Sequence, residues 1–129
     1  MEHLLRESER GFVVKGAGYF PVLLKLRDGS LAAVIRSGAP HIGVGGRIDF
    51  VRSVDGGKTW TTPQTIVYMP PDTRNPAFGQ APDDTLILAF AVTGPYPQGK
   101  WQSPISTRYS VWLTWSEDKG QTWLPPWPL

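Results

Sequence analysis

Ser53-Val54-Asp55-Gly56-Gly57-Lys58-Thr59-Trp60 and Ser116-Glu117-Asp118-Lys119-Gly120-Gln121-Thr122-Trp123 carry Ser, Asp, Gly, Thr and Trp at the same places, 63 residues apart. Such agreement marks an internal repeat, which has to be recognised before any element is assigned. A second register supports it. Pro21 to Leu31 (Pro-x6-Asp-Gly-Ser-Leu) matches Pro76 to Leu86 (Pro-x6-Asp-Asp-Thr-Leu) at an offset of 55, so the second copy holds eight extra residues between its Leu86 run and its box.

The box reads as a backbone device. Asp55 and Asp118 can accept from nearby main-chain N–H groups, Ser53 and Ser116 more weakly, while Gly57 and Gly120 tolerate a positive φ. Thr59 and Thr122 complete the motif, and Trp60 and Trp123 lay a large apolar face across the sheet. A reading of Asp55 and Asp118 as a catalytic carboxylate pair conflicts with the repeat. Equivalent positions in separate copies stand far apart, whereas glycoside hydrolysis needs carboxyls roughly 5 to 10 Å from each other.

Working outward, each copy divides into four short strands. In the first they are Tyr19 to Leu26, Leu31 to Ile35 beyond the Asp28-Gly29 turn, Ile48 to Ser53, and Thr59 to Val67. Ile48, Phe50 and Arg52 alternate with Asp49, Val51 and Ser53, the two-residue period of a strand with two different faces. The second copy gives Pro76 to Gln80, Thr85 to Val92, Tyr109 to Trp115 and Thr122 onward, with Pro95 and Pro97 confining the stretch between to loop. Four antiparallel strands in meander order form one blade of a β-propeller. The expected division is an N-terminal segment 1–18, a first blade 19–68 and a second blade 69–129. Leu4 to Arg10 is read as one helical turn and Phe12 to Lys15 as an extra strand.

Composition agrees with an all-β chain. Fourteen Gly and 13 Pro among 129 residues mean frequent turns, and six Trp, four Tyr and five Phe supply core. The 13 basic and 11 acidic residues are scattered, so the slight positive balance does not indicate a nucleic-acid surface. There is no Cys, which excludes disulfides and thiolate metal sites and leaves the compartment open. Two His and dispersed carboxylates lack metal-ligand spacing, and no cofactor is expected. No apolar run approaches the roughly 18 residues of a membrane span, and Met1 to Arg10, with Glu2, Glu7 and Glu9, does not read as a signal peptide.

Ser-x-Asp-x-Gly-x-Thr-Trp resembles the Asp-box (BNR) motif of the sialidase-like propeller superfamily. Gly29-Ser30-Leu31, Arg36 and Asp49-Phe50-Val51-Arg52-Ser53 are similar to that superfamily's first blade. Gly38-Ala39-Pro40-His41-Ile42-Gly43 and Asp72-x-Arg74-Asn75-Pro76-Ala77 also resemble stretches of sialidase-like bacterial proteins, so the likeness runs from about Gly18 to the end. The resemblance implies a six-bladed ring, of which this chain holds two four-stranded antiparallel blades, and a sugar ligand.

If the box turns mark the bottom of the ring, segments 36–47, 94–108 and 68–75 lie on top, where propeller ligands sit. His41 and Asp49 are the expected catalytic residues. The resemblance places an Asp general acid in the first of these loops, and here that spacing falls near His41, whose imidazole moves protons near neutral pH. Arg36, Arg47, Arg74, Asn75 and Tyr96 are the expected substrate-binding residues. Arg74 suits a carboxylate held by two parallel N–H bonds, or a tie to its own loop through Asp72. Tyr96, with Lys100 and Trp101, can stack on a sugar or pack on a neighbouring blade.

The pattern also departs from the superfamily. Where its innermost strand opens Phe-Arg-Ile-Pro, this chain has Gly18-Tyr19-Phe20-Pro21, and the Tyr nucleophile, its Glu partner and the remaining Arg pair belong to later blades. Three functions therefore stand side by side: a glycosidase or degenerate relative, a non-catalytic glycan- or protein-binding module, and a fragment. Two blades leave apolar flanks that need partners, and three copies closing one six-bladed ring are the expected homo-oligomer.

Overall fold

A computed structural model describes residues 9–16 and 18–129. The expected helical turn at Leu4 to Arg10 falls almost wholly outside the described residues. Two four-stranded antiparallel sheets follow one another along the chain. The first is β1 (Tyr19–Lys25), β2 (Leu31–Ser37), β3 (Arg47–Ser53) and β4 (Gln64–Val67), and the second is β5 (Asp72–Gln80), β6 (Leu86–Gly94), β7 (Arg108–Ser116) and β8 (Trp127–Pro128). Each sheet keeps chain order, β1-β2-β3-β4 and β5-β6-β7-β8, the meander of a propeller blade.

Several boundaries depart from the sequence reading: β5 begins at Asp72 instead of Pro76 and β2 runs on to Ser37 instead of ending at Ile35. β4 begins at Gln64 instead of Thr59, because Thr59 and Trp60 are held in the box turn and Pro63 brings no N–H to a ladder. Pro125 and Pro126 likewise delay and shorten β8. Phe12 to Lys15 form no strand. The segment crosses the first blade as a strap in which Val13 and Val14 pack on Ala33, Ile35 and Val51.

The two boxes repeat bond for bond. In each, the Ser hydroxyl donates to the Asp and accepts from the Gly N–H, the Thr N–H and hydroxyl donate to the Asp, and the indole N–H donates to the Gly carbonyl. Gly57 and Gly120 take φ of 90° and 88°, where a Cβ is strained. The Thr122 hydroxyl, then its N–H, hold the Asp118 carboxyl down from 3.8 to about 2, and the Thr59 hydroxyl and N–H likewise hold Asp55 well below the usual carboxylate range. A folded-state pKa below the unfolded value stabilises at pH above the unfolded pKa and is lost as pH falls through the folded one. The melting temperature is therefore expected to fall as pH drops from about 4 towards 2, with a shallower fall in Asp118→Asn; circular dichroism melts across that range check it.

The main core lies between the blades. Ala32, Val34, Ile48 and Phe50 of the first meet Leu86, Leu88 and Phe90 of the second, with Phe78, Trp112 and Trp123 packed against them. The Phe50 ring sits edge-on to Trp123 at 5.7 Å and to Phe78 at 6.2 Å, separations at which aromatic edges and faces attract. Arg27 clips the lower edge, donating to the Gln80 side chain, the Ala81 carbonyl and Asp84.

Candidate functional site

The innermost strands β1 and β5 share an irregularity at the same repeat position. Pairing to the next strand shifts between Tyr19 and Val22, and again between Arg74 and Ala77. Phe20 and Asn75, one offset apart and each followed by Pro, take φ of 50° and 52°. A left-handed residue is ordinary for Asn and uncommon for Phe. This bulge sets Tyr19 and Arg74 at equivalent places beside it.

Loop 38–46 of the first blade leans over β5 and is sewn to it. Gly45 donates to the Pro71 carbonyl at 2.8 Å and Thr73 to the Gly46 carbonyl at 3.0 Å. Beneath lies Asp72, fully buried. Its Oδ1 accepts from Arg36 Nη2 at 2.7 Å and Nε at 3.2 Å, and its Oδ2 accepts from the Tyr96 hydroxyl at 2.8 Å and Arg74 Nη1 at 3.4 Å. The three segments expected at one end of the blades thus meet around a single carboxylate.

Arg36, expected to face a ligand, does not. Its guanidinium is wholly buried, and its five N–H donors are matched by Asp72 twice and by the carbonyls of Ala39, Pro40 and Gly43. Tyr96 is buried too, with its ring against Trp101. Burial first, then its bond to Asp72, raises its pKa. It supports Asp72 from below instead of stacking on a sugar.

Arg74 differs. Only two of its donors are used, one to Asp72 and one to the His41 carbonyl at 3.2 Å, and its Nε is buried without a partner. It reaches Asp72 at 3.4 Å, the tie to its own loop that is one of the two roles foreseen for it. Phe20 lies 5.6 Å beneath the guanidinium, and the His41 ring stands 5.3 Å from Phe20 and 5.7 Å from Tyr19. Tyr19, Phe20, His41 and Asn75 all remain exposed. The result is a cluster of aromatic rings around one arginine.

Asp49 is not part of it. Side chains alternate along β3, so Ile48 and Phe50 enter the inter-blade core while Asp49 and Val51 face the opposite side. Asp49 is buried there, accepting from Arg47 Nε at 3.0 Å and from the Thr65 hydroxyl at 2.7 Å. A cleft of about 620 Å³ reaches it, lined by Lys15, Tyr19, Pro40 and Arg47 but not by His41. The His41 side chain does not line the cleft that reaches Asp49, and Arg47 is an ion-pair partner of Asp49. Among the described residues no three of His, Cys, Asp or Glu gather closely enough for a metal. Sequence reasoning missed Tyr19 and Phe20, although the repeated residue-before-Pro at offset 55 was a signal that could have found them.

Two meander sheets, each pinned by such a hairpin, belong to the β-propellers built from Asp-box repeats. The BNR repeat-like domain model matches residues 9–129, and the chain belongs to that family. Among solved structures it is similar to a protein of unknown function from Dyadobacter fermentans DSM 18053, at 22% identity and a TM-score of 0.66 over 86% of this chain and 36% of that one. It is also similar to the Hadza microbial sialidase Hz136, at 23% identity and a TM-score of 0.71 over 87% of this chain and 26% of the sialidase. The chain thus spans roughly a third and a quarter of those proteins, and the likeness is one of fold. No curated protein matches the sequence.

Proposed function

We propose that this chain supplies a sugar-binding mouth of a sialidase-like propeller and that it holds an acidic glycan there. Arg74 carries the reading. Its guanidinium lies mostly buried at the strand bulge, and Nη1 and Nη2 each keep a donor beyond those given to Asp72 and His41, the fork that pairs with a carboxylate. Tyr19, Phe20 and His41 offer faces on which a pyranose ring stacks, and Asn75 adds an exposed amide at the rim.

The reading is of binding and not of hydrolysis by these residues. Asp72 is clamped by Arg36, Arg74 and Tyr96, Asp49 by Arg47 and Thr65, and Asp55 and Asp118 by their own hairpins. A pair of free carboxylates across a glycosidic bond is not formed among them. Titration with N-acetylneuraminic acid and with galactose, followed by NMR, tests the proposal. Binding of the acidic sugar alone is expected, weakened about tenfold or more in Arg74→Ala and only partly restored by Arg74→Lys, which keeps the charge without the fork. Equal affinity in wild type and Arg74→Ala sinks it.

A further inference from the structure

The contact between the two blades is a template. The first blade's front, Ala32, Val34, Ile48 and Phe50, packs on the second blade's back, which includes Leu88 and Phe90. The repeat offsets carry that front onto Ile87, Ala89, Val111 and Leu113 of the second blade. Ile87, Ala89 and Leu113 are half-buried and Val111 is 46% exposed. The same offsets carry the second blade's back onto Ala33 and Ile35 of the first. There only the strap lies across, leaving an apolar gap of about 360 Å³ between Phe12, Val14, Leu23 and Ile35. Phe12 itself is 74% exposed. The strap is a loose cover.

The details of the socket recur. Phe50 is received by Gly120, where any Cβ would overlap its ring, and by Trp123 and Phe78. The equivalents on the first blade's back are Gly57, Trp60 and Leu23, and the equivalent knob is Leu113. Leu23 is 57% exposed, a large apolar side chain without a knob to meet. Two of the charged contacts between the blades are replaced in pairs, while the third, the exposed Lys119 with Asp28, maps onto Gly56 and Asp83. Where Arg36 meets Asp72, the repeat offers Ala91 and Ala17, and where Arg27 meets Asp84 it offers Pro82 and Gly29. Both partners change together, so docking the repeated surfaces buries neither of those charges unpaired.

We infer that the open front of the second blade binds the back of the first blade of another copy, head to tail, and that the Gly11 to Val14 strap is the segment this contact displaces. Such an interface is heterologous, so each copy has one donor and one acceptor face and closure makes a ring.

Sedimentation velocity on the chain and two charge variants tests this. The wild type is expected to rise with concentration from 14.3 kDa to multiples of it, and Val13→Ser with Val14→Ser, which loosens the strap, to shift that rise to lower concentration. Leu113→Arg spoils the front and Leu23→Arg the back, so each alone stays monomeric. Mixed in equal amounts they form a dimer and nothing larger, because one intact front and one intact back remain between them. Should Leu113→Arg fail to fold by circular dichroism, Val111→Glu takes its place. A wild type and strap variant that stay monomeric, association surviving both charge variants, or a mixture that stays monomeric overturns the inference.

Discussion

Arg36→Ala is expected to destabilise the fold by about 3–5 kcal/mol in urea denaturation, because it strips the buried Asp72 of both bonds to its Oδ1 and leaves that oxygen stranded, with Tyr96 and Arg74 only on Oδ2. Asp72 and the Arg36 guanidinium are both fully buried, and their bond joins the two blades. Removing Asp72 as well removes the stranded charge, so Arg36→Ala with Asp72→Ala is expected to be less unstable than the sum of the single changes. A sum that is simply additive would mean that the pair is not the coupling between the blades. Gly46 gives an independent handle. A Cβ there would overlap Asp72 Oδ1 and crowd Arg36, so Gly46→Ala is expected to injure the same pair without touching either charge.

Phe50→Ala is expected to have a comparable effect, about 3–5 kcal/mol by the same measurement. Its ring fills the space between Trp123, Phe78 and the Gly120 backbone. These come from the other blade and from its box turn, so the hole left behind has rigid walls and little means of collapsing. Phe50→Leu is expected to lose far less, since it keeps most of the volume. If Phe50→Ala were to cost under about 1 kcal/mol, the core would not lie where the two sheets meet.

What the chain reveals without coordinates follows the range of the interactions. The boxes were legible because Ser, Asp, Gly, Thr and Trp bond within eight residues of each other, so their spacing is the structure. The Asp28 turn was legible for the same reason, Ser30 returning to Asp28 two residues away. Arg36 illustrates the opposite case. An arginine at the head of a top loop suits a ligand or a buried anion equally, and its partner lies 36 residues on in the other blade. Asp49 was placed beside His41 by proximity in the chain, but the two-residue alternation of β3 sends it to the other face. That alternation was visible in the sequence; which face belonged to the mouth was not. The strap was hidden because Val13 and Val14 look as much like a strand as like a cover.

The paired bulges at Phe20 and Asn75 have one more consequence. Because the kink is fixed by the backbone and the Pro that follows, the residue just before it is presented in the same way whatever its side chain, and here it is Tyr in one blade and Arg in the other. Each repeat thus behaves as an interchangeable letter on a fixed mount. The residue on that mount can be changed one position at a time, while the scaffold that carries it stays as it is.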